Sequence, residues 1–147
     1  MVGRLSYSLV LGLFAARLNA QLPNRTHVRI DSVVLVRTPV PGWPCPTCPP
    51  ARVVLRRDAI DSTTLAAIKQ KADSIGFYDL PPNVMGASFC PVVRSDALMA
   101  TLSIYHPDGR WSVRGYHHCT DRSPQQVGLL ALEAMVDGIA GVPRREF

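Results

Sequence analysis

The residues of this 147-residue chain with the most chemistry to offer are four cysteines and an adjacent pair of histidines. Cys45 and Cys48 stand three apart in Trp43-Pro-Cys-Pro-Thr-Cys48, Cys90 lies mid-chain, and Cys119 follows directly on His117-His118. A Cys-x-x-Cys pair suits thiol–disulfide exchange when it opens a helix, because the helix N-terminus lowers the thiol pKa. Here Pro49-Pro50 follows at once and a strand pattern comes next, so that helix is missing. Haem attachment would need a histidine directly after the second cysteine, where Pro49 stands. A tetrahedral metal site can be drawn from the adjacent His117, His118 and Cys119 completed by Cys45, Cys48 and Cys90, but the separations fit no standard zinc spacing. Neighbours on a strand point to opposite faces, so the two histidines do not converge on one ion. The pair reads as a polar strand end with one exposed histidine, and we expect no metal and no cofactor.

A nucleophile triad can be assembled on paper from Ser88 or Ser95, His117 or His118, and Asp96 or Asp121. No Gly-x-Ser-x-Gly elbow marks either serine as special. Asp58 and Asp61 border the first expected helix, where capping explains them. Nothing here forces catalysis, and the expectation is a protein that is not an enzyme.

Read as staples, the four cysteines allow three pairings. Cys45–Cys48 and Cys90–Cys119 are favoured, because a hairpin between Cys90 and Cys119 returns the second towards the first. The loop around the first pair holds six prolines in Pro39–Pro50. Each fixes φ and removes a donor, so the loop is rigid and excludes helix and central strand. Trp43 within it is the candidate contact for a partner, since a rigid loop loses little entropy on binding and tryptophan is frequent among hot spots. The competing reading folds Trp43 back over the sheet.

The elements that position these residues follow from periodicity. Strand-like Val density runs from His27 to Thr38, and Val53 and Leu55 alternate with Arg52, Val54 and Arg56 over 51–57. Leu65, Ile68, Ala72 and Ile75 recur at helical spacing behind Asp61-Ser62-Thr63-Thr64, predicting a helix over 62–75 stopped by Gly76. A loop is expected from Phe77 to about Arg94. Leu98, Ala100, Leu102 and Ile104 alternate with polar neighbours, Pro107-Asp108-Gly109 makes the turn, and Trp111, Val113 and Gly115 share one side of the returning strand. Ser123, Pro124 and Gln126 predict a capping-box start to a last helix, with Val127, Leu130, Ala131, Ala134 and Met135 as its buried face and an end near Gly138 or Gly141. The order β-β-α-β-β-α predicts an α+β fold, a small antiparallel sheet of about four strands with two helices on one face.

Compartment is read from the first twenty residues. A basic Arg4, an apolar run from Leu5 to Ala16, and Leu18-Asn19-Ala20 form the pattern of a signal peptide cleaved before Gln21. The twelve residues of this run rise only about 18 Å as a helix, short of the roughly 30 Å of hydrocarbon in a bilayer. Residues 1–20 are therefore a signal peptide or, if retained, an N-terminal membrane anchor, and 21–147 form a single disulfide-stapled domain in the periplasm or outside the cell. At 47% hydrophobic and 18% charged, the composition is globular. Losing Arg4 and Arg17 lowers the formal charge from +5 to +3. That mild basicity comes without a stripe of aromatics, so nucleic acid is not an expected partner.

Arg37-Thr38, Gly42 to Pro46, Val53 to Leu55, Phe77 to Leu80, Leu102 to Val113 and Leu129 to Ile139 together form a recognisable sequence of pieces. Over about 30–141 the chain resembles a family of small exported bacterial domains of unknown function. That family has an Arg-Thr, a Cys/Gly/Pro loop, a helix ending in Phe, a hairpin and a closing helix. Val40 stands where the first loop cysteine of the family would be expected. The element order is also similar, more faintly, to a small bacterial inhibitor of metalloproteases. Neither resemblance supplies a catalytic residue. The expected function is a non-catalytic, inhibitor-like binding domain with a protein partner. The alternative is an accessory subunit of a membrane complex, held on its extracytoplasmic face by retained residues 1–20.

Overall fold

A computed structural model describes residues 29–38, 50–93, 98–117 and 119–143. Strands β1 (Ser32–Thr38), β2 (Arg52–Arg56), β4 (Met99–His106) and β5 (Gly109–Tyr116) form one antiparallel sheet in the order β2-β1-β4-β5. Helices α1 (Ser62–Ser74) and α2 (Pro124–Ile139) complete the α+β fold. Two-residue strands β3 (Val92–Val93) and β6 (Cys119–Thr120) pair as a second, small sheet.

Each strand alternates as its sequence dictates. Val33 and Leu35 of β1, Val53 and Leu55 of β2, Leu102 and Ile104 of β4, and Val113 of β5 all turn to one side. They pack there with Ile68 and Ala72 of α1 and Leu129, Leu132 and Val136 of α2 as one core. Phe77, in a 3-10 turn over Phe77–Asp79, is buried beneath it, and Tyr78, His106 and Trp111 close the end of the sheet edge to face.

The first helix follows its sequence closely. The Asp61 side chain accepts from the Thr64 backbone N–H at 2.8 Å, and Gly76 takes φ +64° to stop it. The Thr64 backbone N–H, and then its hydroxyl, hold the Asp61 carboxyl below its ordinary pKa. The cap is therefore fully present above the unfolded-state pKa and is lost as pH falls through the folded value.

Three expectations need correction. Over the described residues the first strand begins at Ser32 and not at His27, because the strands on either side end at the same level: β2 at Arg56, opposite Ser32, and β4 at His106. The expected loop up to Arg94 contains β3, which the Cys119 strand holds in register. The buried face of α2 is also displaced. Gln126, Leu129, Leu132, Glu133 and Val136 point inward, while Val127 is 53% exposed and Ala131 is exposed. The apolar pattern misleads because two polar residues, Gln126 and Glu133, occupy the inner stripe.

The capping box is half made. Ser123 accepts from the Gln126 backbone N–H at 3.2 Å. The Gln126 side chain does not return to Ser123, whose own N–H donates to the Phe89 carbonyl. It is fully buried and donates to the Tyr116 carbonyl at 2.6 Å, tying α2 to β5. Gln126→Leu keeps the volume and removes that donor. It is expected to cost about 1–3 kcal/mol by leaving a buried carbonyl unpaired, measured as a lower urea midpoint at unchanged slope.

Candidate functional site

The polar groups on the helix side are engaged in holding the fold. Arg37, on β1 with its side chain 2% exposed, pairs with Asp137 of α2 and also donates to the Pro50 carbonyl at 3.2 Å. His117, just beyond β5, meets Glu133 of α2 at 2.6 Å, the two side chains 15% and 2% exposed. Both pairs fasten the last helix to the sheet. His117 is thus largely buried, and His118, the other histidine of the expected strand end, lies outside the described residues. The His117 imidazole faces a glutamate, and among the described residues neither Ser88 nor Asp121 hydrogen-bonds to it. Cys90 and Cys119 form a disulfide, as expected. It joins the segment before β3 to β6, where the Phe89 carbonyl receives the Ser123 N–H at the start of α2. Among the described residues, no three His, Cys, Asp or Glu side chains gather to hold a metal. No described helix is long and apolar enough to cross a membrane. Trp43, Cys45, Cys48, Ser95, Asp96 and His118 lie outside the described residues.

Among the described residues, no helix lies on the opposite face of the sheet. Alternation puts the other half of each strand there, and the register arranges these side chains in three rows across the sheet. One row runs Arg52, Val36, Thr101, Arg114; the next Val54, Val34, Ser103, Ser112; the third Arg56, Ser32, Tyr105, Arg110. An arginine stands at every corner of the grid, and no acid stands within it. With strands about 4.8 Å apart and a rise of about 3.3 Å per residue, the corners lie roughly 14 Å apart across the sheet and 13 Å along it.

The two halves of this face differ. On β4 and β5 the arginines have local partners: Arg110 lies over the Tyr105 ring at 5.9 Å, and Arg114 donates to the Thr101 hydroxyl at 3.3 Å. The Ser103 and Ser112 hydroxyls bond each other at 2.8 Å. On β1 and β2 the floor is apolar, with Val36 38% and Val54 41% exposed. No hydrogen bond or ion pair to a described residue engages the Arg52 or Arg56 guanidinium. The face is concave, with a hollow of about 660 Å³ over Val34, Thr101, Ser103 and Ser112 that both Arg52 and Arg114 border. A second hollow on the same face, over Ser32, Val34, Val54 and Tyr105 between Arg52 and Arg56, is also lined by two acids at the margin of the grid, Asp58 and Asp31, of which Asp31 pairs with Arg29 at 2.9 Å.

Fold and face together define a small α+β domain whose described helices cover one side of the sheet and not the other. Compared with known proteins, the chain matches no family model, no curated relative and no solved structure. The candidate site therefore rests on its own geometry. Sequence reasoning found the cysteines and missed the four corner arginines. The signal for them was present in each strand, as Arg-x-Val-x-Arg over 52–56 and Arg-x-Ser-x-Arg over 110–114. What the sequence lacked was the strand order that makes them corners of one surface.

Proposed function

We propose that this chain is an exported, non-catalytic binding domain that docks a protein partner on the uncovered face of its sheet. The observation that carries this reading is the four arginines at the corners of a hollowed face whose three rows hold no acid, the nearby Asp31 and Asp58 standing at its margin. Charge of one sign that no described carboxylate pairs with is complementary to a surface of the opposite sign, and it speeds encounter with one. The valines between the arginines supply the apolar floor that a specific interface needs at its centre. The helix side supports the same division of labour, since its buried ionisable side chains are paired with each other and hold the fold.

The test compares two variants of matched net charge, expressed with the full chain in an exporting host. Arg52→Ser with Arg114→Ser empties two corners of the face. Ala66→Glu with Ala131→Glu lowers the charge equally, on exposed positions of the helices. The partner identified by mass spectrometry with the wild-type protein is expected to persist with the helix variant and to be lost with the face variant. Equal retention by both would place binding elsewhere. The purified chain is expected to start at Gln21; a chain that keeps residues 1–20 would favour the membrane-anchored accessory subunit.

A further inference from the structure

We infer that the partner segment taken by this face is an extended acidic strand in which two carboxylates four residues apart flank an apolar residue, lying over the β1–β2 half of the sheet. The inference rests on the binding-face reading above and specifies its ligand. Three features select it. The first is spacing: Arg52 and Arg56 sit at positions i and i+4 of one strand, on the same face. In an extended partner, side chains at i and i+4 also share a face and are separated by about 13 Å, so one carboxylate meets each guanidinium. The second is the floor between them. Val54 and Val34 form the row midway between them, with Val36 beside Arg52, so the partner's residue at i+2, over the exposed Val54, must be apolar to replace the water it displaces. A bare polyanion offers nothing to that row. The third is availability. Arg110 and Arg114 rest on Tyr105 and Thr101, whereas Arg52 and Arg56 have no partner among the described residues.

Edge protection is a competing role for charges on β2, because an edge strand is blunted by charged side chains. It would not explain matching arginines on β5, whose outer edge already pairs with the Pro82–Val84 segment through Arg114.

The test is an NMR titration of the uniformly ¹⁵N-labelled protein, at low ionic strength, with the peptide Ser-Glu-Thr-Leu-Thr-Glu-Ser. Saturable shifts are expected in the amides of β1 and β2. Affinity should fall about tenfold when both glutamates are replaced by glutamine, the loss of two exposed ion pairs. It should fall comparably in an Arg52→Gln, Arg56→Gln protein, whose dispersed spectrum verifies folding. A peptide with the glutamates two residues apart, or with Ser in place of Leu, should also bind several-fold more weakly. The inference is overturned if spacing and the central leucine make no difference, if the peptide shifts no amide, or if shifts centre on the helices. It is equally overturned if oligo-dT or phosphatidylglycerol vesicles bind the face more tightly than the peptide. Self-association in sedimentation velocity that the double variant abolishes would assign the face to a second copy and overturn it too. Loss of the peptide effects while a protein partner still requires Arg52 and Arg114 would reject this ligand and leave the binding-face reading standing.

Discussion

Asp137→Ala is expected to remove about 3–5 kcal/mol of folding stability, the cost of breaking a buried ion pair from one side. Arg37 is 2% exposed and Asp137 17%, so the remaining guanidinium has little water to turn to. It would keep the Pro50 carbonyl as acceptor, which is neutral and does not compensate the charge. In a domain of this size the loss corresponds to a melting temperature lower by roughly 12–20 °C. The double variant Arg37→Met, Asp137→Leu is expected to recover most of it, because removing both charges also removes their desolvation cost. Thermal melts of the two proteins check this. A single variant within about 1 kcal/mol of wild type would mean that the pair carries no such weight.

Removing the Cys90–Cys119 disulfide should have an effect of similar size by a different route. The bond closes a loop of 29 residues. Restricting the unfolded chain by a loop of that length contributes about 3.5 kcal/mol. Cys90→Ala with Cys119→Ala is expected to lose roughly that amount in urea unfolding. Local opening should begin at β3, β6 and the first turn of α2, since the bridged segment is also the one that receives the Ser123 N–H. Amide exchange would show the first turn of α2 losing protection before the four-stranded sheet does. Uniform loss of protection across the chain would contradict this placement.

The elements of the fold were legible wherever apolar residues alone fill the inner face. Leu65, Ile68, Ala72 and Ile75 gave α1 its place, and Leu98 to Ile104 with Trp111 to Gly115 gave the hairpin and its inward side. Periodicity failed where the core is polar. Gln126 and Glu133 are among the most buried side chains, so an apolar count turned α2 by about one residue. Their partners, Tyr116 and His117, come from a strand end ten and sixteen residues away, and only the folded chain brings them together. The Cys90–Cys119 pairing followed from the hairpin between the two residues, a local inference. The candidate site is a property of register across four strands. Arg52 faces Val36, Val36 faces Thr101, and Thr101 faces Arg114, a chain of pairings that joins β2 to β5 between residues far apart in sequence.

That the uncovered sheet face is the binding surface can be tested most directly by arginine-selective labelling with phenylglyoxal, read by mass spectrometry with and without the co-purified partner. All four corner arginines are exposed in the free chain, as is Arg122 away from the grid. Protection of Arg52, Arg56, Arg110 and Arg114 in the complex, with Arg122 labelled as before, is the predicted result. Protection of Arg122 while the four corners react unchanged would contradict the account.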